Sequence, residues 1–433
     1  MQYKLSKYNY TLKEDNVTIF NTFSGAVAIL SSQEHEKMLD FKNYNTMDYD
    51  VQEWIKLGFI IEDSTDETLI INYNRIKNTF SNQGAAYKIL TTSKCNANCF
   101  YCYENFSERK FMDKVTANNV SDFIIKNSKD KKSIQLGWFG GEPLMNPEVI
   151  TIITKNIVEE LRPNYVNINS NIITNGSLFS DEIINLSKTI WNIKNVQISL
   201  DGMKKTHELR KKYMNFENSF ERTFDIIKKL LDKEINIGIR LNFDKENFNE
   251  ILELIYFIKS EFGESKYLDV DVYPLYKPCR DENTGYYIST DDLDWYLTKI
   301  KDTLMENSFM KLNNPPSRRK MGCSAMMPNN CVIDANGDLY KCSMDMKDKT
   351  RSIGNVECGV SDLNVFIDWS MPILSKACDD CVALPMCHGG CPAASKLSLI
   401  DHNYCSVKKH TIKYYVSQIT SFLSKEDKHE TNQ

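Results

Sequence analysis

The chain has 433 residues, 42% hydrophobic and 26% charged, with a formal net charge of −5. That length leaves room for two or three domains with a large core, and the lack of a basic excess argues against nucleic acid as a partner. No stretch reaches the roughly 18 apolar residues of a membrane span, and the opening Met1-Gln2-Tyr3-Lys4-Leu5 lacks the apolar run of a signal peptide. A cytoplasmic protein with no membrane partner is expected. Thirteen cysteines are the compositional outlier. An odd count without an export signal speaks for metal binding over a disulfide framework. The cysteines are also grouped: Cys95, Cys99 and Cys102 stand together, a larger set runs from Cys323 to Cys405, and Cys279 lies alone between them.

Residues 1–82 form a first unit. Alternating apolar positions predict strands over 8–12 and 17–20 around a polar turn. Short helices are predicted over 24–30, 32–41 and 48–57, the last stopped by Gly58, followed by a strand over 69–73. A hairpin with three short helices has the proportions of a winged-helix-like module. Such a unit is either an ornament on a catalytic domain or a docking module whose hairpin edge accepts a peptide strand.

From residue 83 to 312 strands alternate with helices. Strands are predicted over 87–92, 134–139, 166–173, 196–200, 235–242 and 268–273. Amphipathic helices are predicted over 114–126, 148–161, 181–190, 220–233 and 248–262; in the fourth, Phe220, Phe224, Ile227 and Leu231 share one face. Six strands in this alternation make an α/β fold with a parallel sheet, whose ligands sit at the carboxyl ends of the strands. A helix over 291–305 leads to Asn313-Asn314-Pro315-Pro316-Ser317, the expected boundary to a third unit over 313–433. The charged end from Ser424 is expected to fray.

The motifs fall at strand ends. Cys95-x3-Cys99-x2-Cys102 follows the first strand. Three thiolates on one loop can wrap a face of an iron–sulfur cube and leave its fourth iron without a protein ligand, although the same spacing could be half of a zinc site. Gly140-Gly141-Glu142-Pro143 ends the second strand. Glycines there permit close backbone approach, and the carboxylate suits an ammonium; alone, the stretch could be a plain turn. Ser199-Leu200-Asp201-Gly202 ends the fourth strand and Arg240-Leu241-Asn242 the fifth.

Together these residues resemble the radical S-adenosylmethionine (SAM) superfamily, in which an aromatic such as Tyr101 precedes the last cysteine of the triad. The resemblance implies a partial (β/α)6 TIM-type barrel. It also implies that Cys95, Cys99 and Cys102 hold a [4Fe–4S] cluster, that Gly140, Gly141, Glu142 and Pro143 receive the methionine ammonium, and that Ser199, Asp201 and Asn242 face the cofactor. Arg222 becomes the expected partner of the SAM carboxylate. His207 and Glu208 are similar to the family's structural His-acid pair.

The run Cys378-x2-Cys381-x5-Cys387-x3-Cys391-x13-Cys405, preceded by Cys323, Cys331 and Gly337-x4-Cys342, resembles the SPASM extension of peptide- and protein-modifying members. By that resemblance Cys323, Cys331, Cys342 and Cys391 hold auxiliary cluster I. Cys378, Cys381, Cys387 and Cys405 then hold auxiliary cluster II, for three [4Fe–4S] clusters in all. Were another group to fill the place of Cys331, cluster I would keep an open iron for substrate. A pair of four-cysteine zinc sites is the alternative. Cys279 and Cys358 are left over.

The implied reaction is reductive cleavage of SAM to a 5′-deoxyadenosyl radical that takes a hydrogen from substrate. The SPASM extension with a leader-binding N-terminal module is similar to maturases of ribosomally made peptides that join a cysteine sulfur to carbon. That resemblance implies a precursor peptide bound through its leader and a flavodoxin- or ferredoxin-type reductant. Anaerobic sulfatase maturation, carbon–carbon crosslinking and epimerisation are alternatives, and a non-catalytic iron–sulfur electron carrier is the alternative of another class.

Overall fold

A computed structural model describes residues 2–104, 109–214, 217–275, 287–311, 316, 321–371, 374–393 and 403–430. Cys279 and, apart from Pro316, the expected boundary stretch 313–317 lie outside the described residues.

The first unit opens with β1 (Tyr3–Leu5), then β2 (Asn9–Lys13), β3 (Val17–Asn21) and β4 (Val27–Leu30) as an antiparallel meander. The helix expected over 24–30 is therefore wrong. Its Val-Ala-Ile-Leu run pairs with β3, Phe20 opposite Val27 and Val17 opposite Leu30, and strand pairing overrides weak helical periodicity. Helix α1 (Ser32–Leu39) starts on a capping box between Ser31 and Glu34. Helix α2 (Tyr49–Leu57) is capped by Asp48 and ends on Gly58 in the left-handed region, φ 82°. Strand β5 (Ile60–Glu62) returns to β1.

Next comes α3 (Glu67–Thr79), where a strand over 69–73 was expected. A short apolar run is ambiguous between the two states. Here the Asp66 side chain caps the Leu69 N–H, and Glu67, Ile71, Arg75 and Thr79, four residues apart, form the buried helical face.

The central unit follows the expected alternation. Strand β6 (Gly84–Leu90) leads to α4 (Lys114–Ser128), β7 (Ser133–Phe139), α5 (Pro147–Leu161), β8 (Asn167–Thr174), α6 (Asp181–Thr189) and β9 (Ile193–Leu200). After it come α7 (Lys204–Lys211), α8 (Ser219–Asp232), β10 (Asn236–Phe243), α9 (Phe248–Phe262), β11 (Leu268–Pro274) and α10 (Thr290–Glu306). β6 to β11 are parallel and lie side by side in chain order, as a barrel built from β/α units requires. Helix α7 has no sequence signal of its own: in Lys-Lys-Thr-His-Glu-Leu-Arg-Lys the single aliphatic residue, Leu209, is exposed.

The C-terminal third continues the same sheet. β12 (Asn330–Ile333) adds in parallel beside β6, and β13 (Asp338–Tyr340), β14 (Gly354–Asn355) and β15 (Gly359–Val360) follow antiparallel. Then come α11 (Leu363–Ser370), α12 (Leu384–Cys387) and α13 (Asn403–Glu430). The end expected to fray from Ser424 is helical to Glu430.

Helix α13 covers the β2–β3 face, with the Phe20 and Tyr415 rings 5.3 Å apart and the Thr18 and Thr420 hydroxyls 2.7 Å apart. Tyr8 and Ile71 of the first unit pack on Leu384 of α12. The first unit thus shares apolar cores with the C-terminal third. Among the described residues no helix is long and apolar enough to cross a membrane.

Candidate active site

Parallel strands bring every strand-end motif to one end of the barrel. The loop after β6 carries Cys95, Cys99 and Cys102, and three straps hold it. The first is the glycine pair after β7. Gly141 N–H donates to Thr92 O at 3.0 Å and Glu142 N–H to Lys94 O at 2.9 Å. A Cβ on Gly140 would lie 2.4 Å from Thr92 O, and one on Gly141 2.1 Å from Lys94 O. The glycines are there because the backbone leading into Cys95 lies where side chains would be.

The second strap is the turn after β8. The Asn96 amide donates to Ser177 Oγ (2.9 Å) and accepts from the Asn175 amide (2.8 Å). The third is the end of α7 and the turn that follows it. Asn98 N–H donates to Lys211 O at 2.9 Å, Met214 N–H to Asn96 O at 2.8 Å, and the Cys99 thiol lies 3.8 Å from Lys211 O.

Glu142 is fully buried. Its carboxylate accepts from Thr174 Oγ1 (2.7 Å), Asn175 N–H (2.8 Å) and Leu144 N–H (3.1 Å). Burial pushes its carboxyl up, against the pull of these donors. Three of about four acceptor positions are taken, so an ammonium could claim only what remains. Arg222 donates through Nε to Ser177 O (2.7 Å) and through Nη2 to Phe179 O (3.0 Å). In this structure its guanidinium holds the β8 turn.

A buried network joins the cysteine loop to β9 and β10. Tyr101 OH donates to Asp201 Oδ2 at 2.6 Å, and the Asn242 amide reaches Asp201 Oδ1 at 3.1 Å. Arg240 Nε donates to Asn242 Oδ1 at 3.0 Å, and Asn247 donates to the carbonyls of Asp201 and Asn242. Lys211, 2% exposed, donates to Ser199 Oγ at 2.6 Å and stands 3.6 Å from Asp201 Oδ2. Burial works against that ammonium, but Asp201 and the three cysteines outweigh it and its pKa stays above the ordinary lysine value. Burial likewise opposes the Asp201 charge, and Lys211 first among its neighbours draws its pKa below the usual carboxylate range. Burial pushes the Cys95 thiol up to about 12, so loading the site with metal releases protons.

Tyr101, Ser199, Asp201 and Asn242 therefore lie together in one buried network with Lys211. Lys211, Asn96, Asn175 and Ser177 were missed. The Asn175-Gly176 turn at the end of a strand was a usable signal for the β8 loop; Lys211, on a helix without apolar periodicity, had none. His207 is fully buried, and among the described residues neither ring nitrogen has a hydrogen-bond partner. Burial lowers its pKa to about 3, and its ring packs on Tyr213 and Phe220.

Seven of the remaining cysteines fall into two groups. Cys323, Cys342 and Cys391 pack around Trp369 and Ala393. Cys378, Cys381, Cys387 and Cys405 act electrostatically on one another. Cys331 does not join the first group. It stands on β12 opposite Tyr87 of β6, packs with the barrel core, and lines a cavity of about 750 Å³ with Cys358, Lys126 and Phe366. Tyr87 points from the same face to Ser128 of α4, so Cys331 is turned toward the helical layer, a departure from the expected four-thiolate set. Tyr103, next to Cys102, hydrogen-bonds Ser343, next to Cys342, so the first loop touches the segment carrying the second group.

Three thiols on one strapped loop, beside a buried cation and a Gly-Gly backbone cradle, fit an iron–sulfur cube with one open iron. Among the described residues no three His, Cys, Asp or Glu side chains converge as a single-ion site requires; a cube spreads its ligands over separate irons.

Residues 89–258 match the family model described as the radical SAM superfamily. The chain is 25% identical over 366 residues to a cysteine-type anaerobic sulfatase-maturating enzyme of Clostridium novyi, covering 76% of this chain and 94% of that one. It is 24% identical to the radical SAM cyclopropyl synthase TigE of Paramaledivibacter caminithermalis, over 96% of each chain. Among solved structures it is similar to Streptococcus suis SuiB bound to the precursor peptide SuiA, with TM-score 0.53 and 16% identity, over 93% of this chain and 100% of that one. With strand-end motifs, strapped cysteine loop and family match in agreement, the chain belongs to the radical SAM superfamily.

Proposed function

We propose that this chain is a radical SAM maturase that modifies a ribosomally made precursor peptide by joining a cysteine sulfur to carbon. In this reading residues 83–312 are the catalytic barrel, 313–433 a SPASM-type unit and 1–82 a leader-docking module. Cys95, Cys99 and Cys102 hold the first cluster, and SAM bound there supplies a 5′-deoxyadenosyl radical when an electron arrives from a flavodoxin- or ferredoxin-type donor. Gly140 to Pro143, Ser199, Asp201 and Asn242 orient SAM, while the straps fix the backbone of the loop.

The observation that supports the thioether reading is that Cys331 packs with the barrel core beside Tyr87, whereas Cys323, Cys342 and Cys391 pack around Trp369; Lys341 is within electrostatic reach of both Cys331 and Cys323. Cys323, Cys342 and Cys391 would hold an auxiliary cluster with one iron lacking a protein ligand, which would supply a place for a substrate sulfur. The four-thiolate group at Cys378, Cys381, Cys387 and Cys405 then closes the second auxiliary cluster. Replacing Cys331 by Ser should leave iron content unchanged, whereas Cys342→Ser should remove one cluster. A loss of iron in Cys331→Ser equal to that in Cys342→Ser would refute the open iron.

For leader docking, α3 presents Leu69, Tyr73 and Ile76 at 65%, 61% and 53% exposure along one stripe, and β4 is an edge strand. Deleting residues 1–82 is a poor test, because it would uncover Ile412, Tyr415 and Val416 of α13. Tyr73→Glu should instead weaken binding of a cysteine-containing precursor peptide at least tenfold and leave SAM cleavage intact. Unchanged peptide affinity would end the docking idea.

Sulfatase maturation is the second reading, favoured by the 25% identical relative that carries that name. The products separate the two: a thioether forms with loss of two hydrogens and keeps the sulfur, whereas conversion of cysteine to formylglycine loses it.

A further inference from the structure

Lys211 stands out because neither the sequence motifs nor the proposed SAM contacts use it. Its carbonyl receives Asn98 N–H and lies against the Cys99 thiol. Its side chain turns inward, 3% exposed, with Nζ 2.6 Å from Ser199 Oγ, 3.6 Å from Asp201 Oδ2 and 5.7 Å from the centre of the Tyr101 ring. An ammonium taken this far from water is costly unless opposing charge surrounds it. Asp201 provides part of that charge, but its oxygens also receive Tyr101 and Asn242. Buried Glu142 also lies within electrostatic reach of Lys211, as do Cys99, Cys102 and Cys95 of the loop.

We infer that Lys211 is a positioning residue whose buried ammonium serves as the fixed counter-charge of the Cys95/Cys99/Cys102 cluster and eases its reduction. This rests on the cluster assignment above. A cube on three thiolates is anionic and gains a further negative charge with each electron. Its potential is set by net charge, hydrogen bonding and solvent exposure. A cation held in a dry site, on the same short segment that clamps the loop, stabilises the reduced state more than the oxidised one. The arrangement differs from a SAM-binding lysine, for which the amine would be expected to reach open space.

The test is an anaerobic redox titration of the reconstituted full-length protein. The first cluster is identified as the reduced-state paramagnetic signal that changes when SAM is added. Lys211→Met should lower the reduced-to-oxidised ratio at a fixed potential at least tenfold, about 59 mV for one electron, and Lys211→Arg should recover most of it. The double variant Lys211→Met/Asp201→Asn removes the stranded carboxylate and guards against misfolding; its iron content should match the parent and, with the local net charge restored, its potential should return toward the parent's. An unchanged potential in Lys211→Met with full iron content overturns the inference. So does an unchanged potential with a tenfold loss of SAM affinity, which would make Lys211 a SAM ligand. If the parent protein shows no SAM-responsive signal, the cluster assignment itself fails.

Discussion

Gly141→Ala is the sharpest structural perturbation of the cysteine loop. The new Cβ would sit 2.1 Å from Lys94 O and 2.4 Å from Lys94 C, with ordinary contact beginning at 3.4 Å. The backbone entering Cys95 must then retreat by roughly 1.3 Å, the difference between those distances. No rotamer change relieves a clash with main chain. Overpacking of this kind costs about 1–3 kcal/mol, and loss of the hydrogen bond from Glu142 N–H to Lys94 O adds about 0.5–1.5. A destabilisation of about 2–4 kcal/mol is therefore expected, together with loss of the first cluster.

Gly238 on β10 is the matched control, since a Cβ there meets nothing within 4 Å. Gly238→Ala should be neutral or stabilise by about 0.4–1 kcal/mol through the unfolded chain. Urea unfolding of anaerobically prepared protein gives the stabilities, and iron content after reconstitution reports the cluster. A Gly141→Ala protein as stable as Gly238→Ala, with full iron and normal SAM cleavage, would refute the strap.

Arg210 pairs with the fully buried carboxylate of Asp244 and its guanidinium lies 4.8 Å over the Phe100 ring; Arg210→Ala should cost about 3–5 kcal/mol in urea unfolding, because it leaves a charge buried alone. Phe20→Ala, emptying the contact with Tyr415, should also cost about 3–5 kcal/mol, and limited proteolysis should then cleave between the first unit and the barrel. Burial lowers His410 to about 4 and His207 to about 3. Below the ordinary histidine value of about 6.5 the unfolded chain takes up protons that the folded one does not, so stability should fall as pH drops from about 6.5 toward 4 and 3. A thermal melting temperature flat over that range would contradict the burial of both rings.

The barrel was legible because each of its strands and most of its helices carries its own periodicity. The motifs fell at strand ends, where parallel topology gathers ligands. What escaped was decided by tertiary pairing. The 27–30 run became a strand only because β3 lies beside it, and 69–73 became helical because Asp66 caps it and Tyr8 and Leu384 cover Ile71. Helix α7 lacks an apolar stripe, so Lys211 had no structural address in the sequence. Cysteine spacing alone could not say which way Cys331 faces; pairing with β6 turns it toward α4. Arg222 lay on the expected helix, but carbonyls of the β8 turn take it up.

The central claim is that the loop after β6 supports reductive cleavage of SAM. The direct measurement is 5′-deoxyadenosine formed by anaerobically reconstituted protein given SAM and a low-potential reductant, beside the Cys99→Ala variant. Turnover is expected in the parent, and its loss in Cys99→Ala with the auxiliary iron retained. No 5′-deoxyadenosine from the parent, or equal amounts from both, would contradict it.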